Sequence, residues 1–220
     1  MHDAIKMNGG EIMIGYYNYS VLVTYLGVAL SVIGMSLVCN GRYEYAILCL
    51  ALAGACDTFD GKIARSMKNR TKEMEIFGVQ IDSLCDLVCF GVTPAVIAYH
   101  MGLNTVWGIA VEIVFVLCGV IRLAFFNVQE ELKHTNPESG GGKKYFRGLP
   151  ITSITIIFPV IYLFHPLVSH EIFTIILALM LLIVAFLYIL DFKIKKPGNG
   201  VITVLMIFVA IVMLRVLNIF

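Results

Sequence analysis

Charge is scarce in this chain. Asp, Glu, Lys and Arg make up 14% of its 220 residues, against 59% hydrophobic residues. That imbalance excludes an ordinary soluble domain, and no nucleic-acid partner is expected. The six cysteines (Cys39, Cys49, Cys56, Cys85, Cys89 and Cys118) never form a CxxC pair and all fall in or beside apolar stretches. Neither a disulfide framework nor a zinc site is therefore suggested, and each thiol reads as a small hydrophobe. Long polar linkers are also missing, which leaves no room for a separate soluble domain. No cleavable leader is expected, because Asp3 and Glu11 precede the first apolar stretch and no small-residue pattern follows Cys39.

What is present is a series of apolar stretches of membrane-spanning length. They predict spans over 19–39, 45–63, 79–99, 105–127, 149–168, 171–190 and 199–219. The expected fold class is all-α: a polytopic integral membrane helix bundle of about six core transmembrane helices plus a C-terminal one. Residues 1–18 read as a cytoplasmic juxtamembrane segment and 19–220 as a single membrane domain. With the N-terminus inside, fourteen of the sixteen Lys and Arg residues fall on the cytoplasmic side, and only Arg42 and Arg215 on the other. That asymmetry fixes the expected orientation.

Against this background two pairs of aspartates stand out. Asp57 and Asp60 are three apart, Asp82 and Asp86 four apart. Each pair shares a helix face. An acid at the centre of a membrane helix costs roughly 2.5–3.5 kcal/mol on insertion scales. Four of them at the cytoplasmic end of two spans make sense if two divalent cations cancel their charge, the arrangement of a two-metal phosphoryl-transfer site. Gly61 and Ala64 leave a trough beside the carboxylates, with Arg65 next to it, and Gly78 falls on the same face as Asp82 and Asp86. Close helix packing also explains small residues in a membrane helix, but here they flank acids and an Arg, which favours approach of a ligand.

The run Asp57, Asp60, Gly61, Ala64, Arg65, then Gly78, Asp82 and Asp86, resembles the signature of the CDP-alcohol phosphotransferase family, D-x2-D-G-x2-A-R followed by G-x3-D-x3-D. Its twelve-residue spacer, Ser66 to Phe77, is longer than the family pattern by about one helical turn. That predicts a longer helix end or a longer loop, with both Asp faces intact. Residues 77–95, 121–127 (Ile-Arg-Leu-Ala-Phe-Phe-Asn) and 145–150 (Tyr-Phe-Arg-Gly-Leu-Pro) are similar to stretches of the family's phosphatidylserine synthase branch. Phe125 departs from it, standing where that branch has a second Arg.

The resemblance implies transfer of the phosphatidyl group of CDP-diacylglycerol to L-serine, with release of CMP, by a homodimer in the cell membrane with its site at the cytoplasmic face. It implies two Mg²⁺ or Mn²⁺ ions held by Asp57, Asp60, Asp82 and Asp86, and CDP bound by Asp57, Gly61, Ala64, Arg65, Gly78 and Asp82. Asp86 is implied as the base. Arg122, Arg147 or Lys144 would meet the acceptor's carboxylate. Alternatives are another acceptor (inositol phosphate, glycerol phosphate or an amino alcohol) or an intramembrane metal or proton transporter, which would need polar residues continuing across the bilayer. Two further features are set aside. Glu112, deep in its span, is expected to be protonated and hydrogen-bonded to a neighbouring helix, without a catalytic role. Ser139-Gly140-Gly141-Gly142-Lys143-Lys144 lacks the spacing and the strand context of a phosphate loop; residues 129–148 read as one cytoplasmic loop.

Overall fold

The computed structural model describes residues 19–66, 71–135, 145–195 and 198–217. The juxtamembrane segment 1–18 and the Gly-rich stretch 139–144 lie outside the described residues. Among those described, seven helices follow one another: α1 (Tyr19–Cys39), α2 (Tyr43–Ser66), α3 (Lys72–Leu103), α4 (Val106–Thr135), α5 (Ile151–Leu167), α6 (His170–Ile189) and α7 (Asn199–Val216). Within this set α1, α3, α4 and α6 are long and apolar enough to cross a membrane, and α5 and α7 are shorter apolar helices. Helix α2 is equally long, but the charged residues of its C-terminal half set it apart.

Local chemistry explains where these helices start and stop. Helix α1 closes on a tight turn: Gly41 adopts φ 71°, and the amides of Asn40 and Gly41 donate to the Leu37 and Val38 carbonyls. Thr71 caps α3, its hydroxyl accepting from the Met74 amide at 3.3 Å, and Glu73 and Glu75 sit in the first turn, where the helix dipole favours anions. The helix therefore begins six residues before Gly78, so part of the long spacer is helical. Just after Asp86 the backbone widens into a π-helical turn, Leu87–Val92, before returning to α geometry at Thr93. Pro94 sits at that return. It has no N–H to donate and its ring crowds the carbonyl four residues back, so a locally wider register accommodates it.

Packing is close where small residues meet. A Cβ on Gly34 of α1 would lie 3.1 Å from the Cys49 Cβ and 3.3 Å from the Ala46 carbonyl oxygen of α2. One on Gly54 of α2 would lie 2.6–2.8 Å from three side-chain atoms of Thr155 on α5. Such small-residue contacts let membrane helices approach. Phe90, Phe115, Phe158, Phe173, Leu177 and Leu181 fill the centre. Outside, Ile113, Leu117 and Ile121 on α4, and Ile175, Leu179, Ile183 and Phe186 on α6, are exposed. Apolar stripes of that length are costly in water and natural against lipid.

Two expectations need correction. Helix α4 continues to Thr135, so the loop after it does not begin at residue 129. Its end is also not loop: β1 (Tyr145–Arg147) pairs antiparallel with β2 (Lys193–Lys195), Arg147 opposite Lys193, and Gly148, at φ 75°, closes the ribbon by donating to the Phe192 carbonyl at 2.7 Å. This short ribbon is the one departure from an all-helical fold among the described residues.

The α2–α5 contact yields a stability prediction. Gly54→Ala drives a methyl into the branched end of Thr155 and lowers stability by about 1–3 kcal/mol, read as a fall in melting temperature in detergent. A melting temperature equal to wild type would show that α5 moves away at no cost.

Candidate active site

Helices α2 and α3 bring three of the predicted carboxylates together. One oxygen each from Asp57, Asp82 and Asp86 lies within 4.8 Å of the others. Carboxylates at that range repel unless a proton or a cation lies between them. The donors are all hard oxygens, the set that Mg²⁺ and Mn²⁺ prefer, so the residues fit a divalent cation. Asp60 is only 5% exposed and stands beside this trio rather than in it. Its Oδ2 accepts a hydrogen bond from the Thr24 hydroxyl of α1 at 2.7 Å. Asp57, Asp60 and Asp86 line one small cavity with Thr24, Gly27, Cys56, Cys85 and Phe90. Gly61 and Gly78, both half-buried, lie one turn from Asp57 and Asp82. The side chains of Ala64 and Arg65, and Lys144 as a whole, fall outside the described residues.

The two remaining candidate cations differ sharply. Arg122 on α4 is only 8% exposed. Its Nε donates to the Leu149 carbonyl at 2.9 Å, and among the described residues no carboxylate pairs with it. A buried guanidinium without an anion is expensive, which marks its free fork as a place for an anionic ligand. Tyr188 of α6 donates its hydroxyl to the Ile151 carbonyl at 2.9 Å, two residues along from the Leu149 carbonyl that Arg122 uses. Arg147 is exposed and already engaged. Its Nε donates to Asp191 Oδ1 at 2.9 Å, its Nη2 reaches Oδ2, and its guanidinium lies 5.4 Å from the ring centroid of Phe125. The residue that replaces the branch's second Arg is thus a platform for a cation from the ribbon.

Two contributors were not singled out from sequence, and a third, Thr24, fits the family pattern only loosely. A Thr inside an apolar run, such as Thr24, gives no signal by itself. The chain Ser83 to Asn127 (2.6 Å) and Asn127 to Gln80 (3.1 Å), which ties α3 to α4 next to the aspartates, joins residues more than forty positions apart. Tyr188 reads as one more aromatic. Glu112 corrects an expectation: its Oε1 is buried with no hydrogen-bond partner among the described residues. It lies on α4 about 20 Å from the level of Asn127, at 1.5 Å per residue, remote from the carboxylates.

An integral membrane bundle with a carboxylate centre between its second and third helices is the class these features define. Residues 17–190 match the family model described as CDP-alcohol phosphatidyltransferase, and the chain belongs to that family. It is 42% identical over 113 residues to a CDP-diacylglycerol–serine O-phosphatidyltransferase of Saccharomyces cerevisiae, covering 50% of this chain and 39% of that protein. It is 34% identical over 140 residues to an archaetidylserine synthase of Methanothermobacter thermautotrophicus, covering 63% and 52%. A CDP-diacylglycerol–serine O-phosphatidyltransferase of Helicobacter pylori is 34% identical over 127 residues, covering 56% and 48%. In each case the match spans about half or less of the relative's length.

The Arg147–Asp191 pair predicts a pH effect. The Arg147 hydrogen bonds and charge hold the Asp191 carboxyl below the usual carboxylate range. A carboxyl depressed on folding contributes stability above its unfolded pKa of about 3.9 and loses it as pH falls through the folded value. Wild type should therefore melt above Asp191→Asn at neutral pH, and the two should converge as pH drops below about 4. A difference that persists unchanged into acid would exclude the ion pair as its source.

Proposed function

We propose that this protein transfers the phosphatidyl group of a CDP-linked diacyl lipid to the hydroxyl of L-serine, giving phosphatidylserine and CMP, at the cytoplasmic face of the cell membrane. The observation that carries the reading is the convergence of Asp57, Asp82 and Asp86 between α2 and α3; the buried Arg122 of α4, which has no carboxylate partner among the described residues, supports an anionic acceptor. The names of the relatives support serine as acceptor and differ in the lipid. Two divalent cations, Mg²⁺ or Mn²⁺, would be held by Asp57, Asp60, Asp82 and Asp86, and supply charge compensation for the pyrophosphate and for the departing CMP. Pairing into a homodimer belongs to the same proposal, on the family resemblance alone.

The chain's own residues account for the rest. Gly61, Ala64 and Gly78 leave space for the nucleotide, and Arg65 grips a phosphate. Arg122 binds the serine carboxylate with its unpaired fork, Tyr188 bordering the pocket. Asp86 accepts the hydroxyl proton as the serine oxygen bonds to the lipid-bearing phosphorus, and the bond from that phosphorus to the CMP oxygen breaks. Thr24 holds Asp60 in the orientation in which it faces the cavity.

The test is CMP release by purified protein from CDP-diacylglycerol across a panel of acceptors: serine, glycerol phosphate, inositol phosphate and amino alcohols. Serine should be preferred. Turnover with another acceptor and none with serine would overturn the assignment. Arg122→Gln should raise the KM for serine by roughly tenfold or more, as expected when a charge-assisted contact worth ~1.5–3 kcal/mol is lost; an unchanged KM would move the carboxylate elsewhere. Thr24→Val should raise the Mg²⁺ or Mn²⁺ concentration for half-maximal rate by about tenfold, since Asp60 loses a hydrogen bond to a charged acceptor, and an unchanged requirement would remove Asp60 from the cation site. Asp86→Asn should cost about a hundred- to ten-thousandfold in turnover yet leave CDP binding largely intact, whereas Asp82→Asn should weaken both. Equal loss of binding would make Asp86 chiefly a cation ligand.

A further inference from the structure

The end of the bundle remote from the aspartates carries a second pair of ligating side chains that no sequence spacing announces. Cys39, the last residue of α1, and His100, in the final turn of α3, are sixty-one positions apart, yet the Cys39 Sγ and His100 Nε2 atoms lie 3.5 Å from each other. Both residues are exposed. His100 is about 20 Å along α3 from Asp86, at 1.5 Å per residue, so the pair is separate from the carboxylate centre.

We propose that Cys39 and His100 form a binding site for one borderline or soft divalent cation of the zinc class. The first argument is geometric. Zn–S of about 2.3 Å and Zn–N of about 2.0–2.1 Å at a tetrahedral angle place sulfur and nitrogen about 3.5–3.6 Å apart. The observed separation of 3.5 Å matches that edge, the spacing two ligands of one ion require. The same separation suits a thiol–imidazole hydrogen bond, which serves as the cation-free state.

The second argument is preorganisation. Cys39 is fixed by the tight turn at Gly41. His100 is fixed from the other side, because the Tyr43 hydroxyl at the start of α2 donates to its backbone carbonyl at 3.1 Å and the Tyr99 ring packs edge-on against the imidazole at 5.4 Å. Beyond it Gly102, at φ 123°, ends the helix in a conformation that side chains rarely adopt. Ligands held on rigid helix ends lose little freedom on binding.

The third argument is chemical. A thiolate and a neutral imidazole select softer ions than an all-aspartate set does, so the two ends of the bundle sort cations by hardness. On binding, the Cys39 thiol releases its proton to water as the sulfur–metal bond forms, His100 contributes the Nε2 lone pair with its proton on Nδ1, and water fills the open positions.

The test uses Co²⁺ as probe, added to the full chain in detergent with Mg²⁺ in large excess to occupy hard-oxygen sites. Thiolate-to-cobalt charge-transfer absorption should saturate near one equivalent. It should vanish in Cys39→Ser and need at least about tenfold more Co²⁺ in His100→Gln, a tenfold loss being the low end for even an outer-shell partner. Both residues are exposed, and circular dichroism verifies that the variants stay helical. No charge-transfer band, a band unaffected by either substitution, or a band lost instead in Cys56→Ser beside the aspartates would overturn the proposal.

Discussion

Three carboxylates reach within 4.8 Å of one another in a bundle whose core is mostly Leu, Ile, Val, Phe and Ala. Coulomb repulsion at that range grows as the surroundings become less polar, and a bilayer bundle is a poor solvent for it. The fold therefore has to keep the groups together against their charge and supply a cation with a way in. Much of the geometry around α2 and α3 answers that requirement. The carboxylates come from two helices rather than one, so their separation is set by helix packing. The flanking positions, Gly61 and Gly78, carry no side chain that could fill the opening.

Packing on three sides holds the centre. From α1, the Thr24 hydroxyl fixes Asp60, and the close approach at Gly34 keeps α1 and α2 in step. Within α3, the π-helical turn directly after Asp86 separates two registers: the first half presents Asp82 and Asp86 to α2, and the second buries Ile97, Met101 and Leu103. A continuous α-helix would rotate one set away from its partner by about 100° for each residue of register. From α4, the Ser83–Asn127–Gln80 chain ties the aspartate-bearing half of α3 to the helix that carries Arg122.

The sequence is most legible where a single period or a fixed offset decides. Helix α1 ends where the apolar run ends, at Cys39, and the aspartate spacing identifies the carboxylate faces without any knowledge of packing. It is less legible where polar residues continue a helix beyond the apolar core. Gln129, Glu130, Glu131 and Lys133 look like loop by hydropathy, yet they extend α4 because none of them breaks a helix. The ribbon escaped for the opposite reason: three-residue strands offer too little alternation to detect, and their pairing joins positions about fifty apart. At the site, residue types were readable and burial was not. Arg122 and Arg147 are equivalent as letters, but one is enclosed with no carboxylate partner among the described residues and the other is held by Asp191.

The central claim is that the converged aspartates exist to hold divalent cations. Its most direct test is Mn²⁺ binding to the purified, substrate-free chain, followed by electron paramagnetic resonance of the free ion, for wild type, Asp57→Asn and Asp86→Asn. Wild type should withdraw Mn²⁺ from solution, Mg²⁺ should compete, and each substitution should sharply weaken the uptake while the helical content stays unchanged. Uptake by both variants equal to wild type would contradict the account and leave the carboxylate cluster without the role assigned to it.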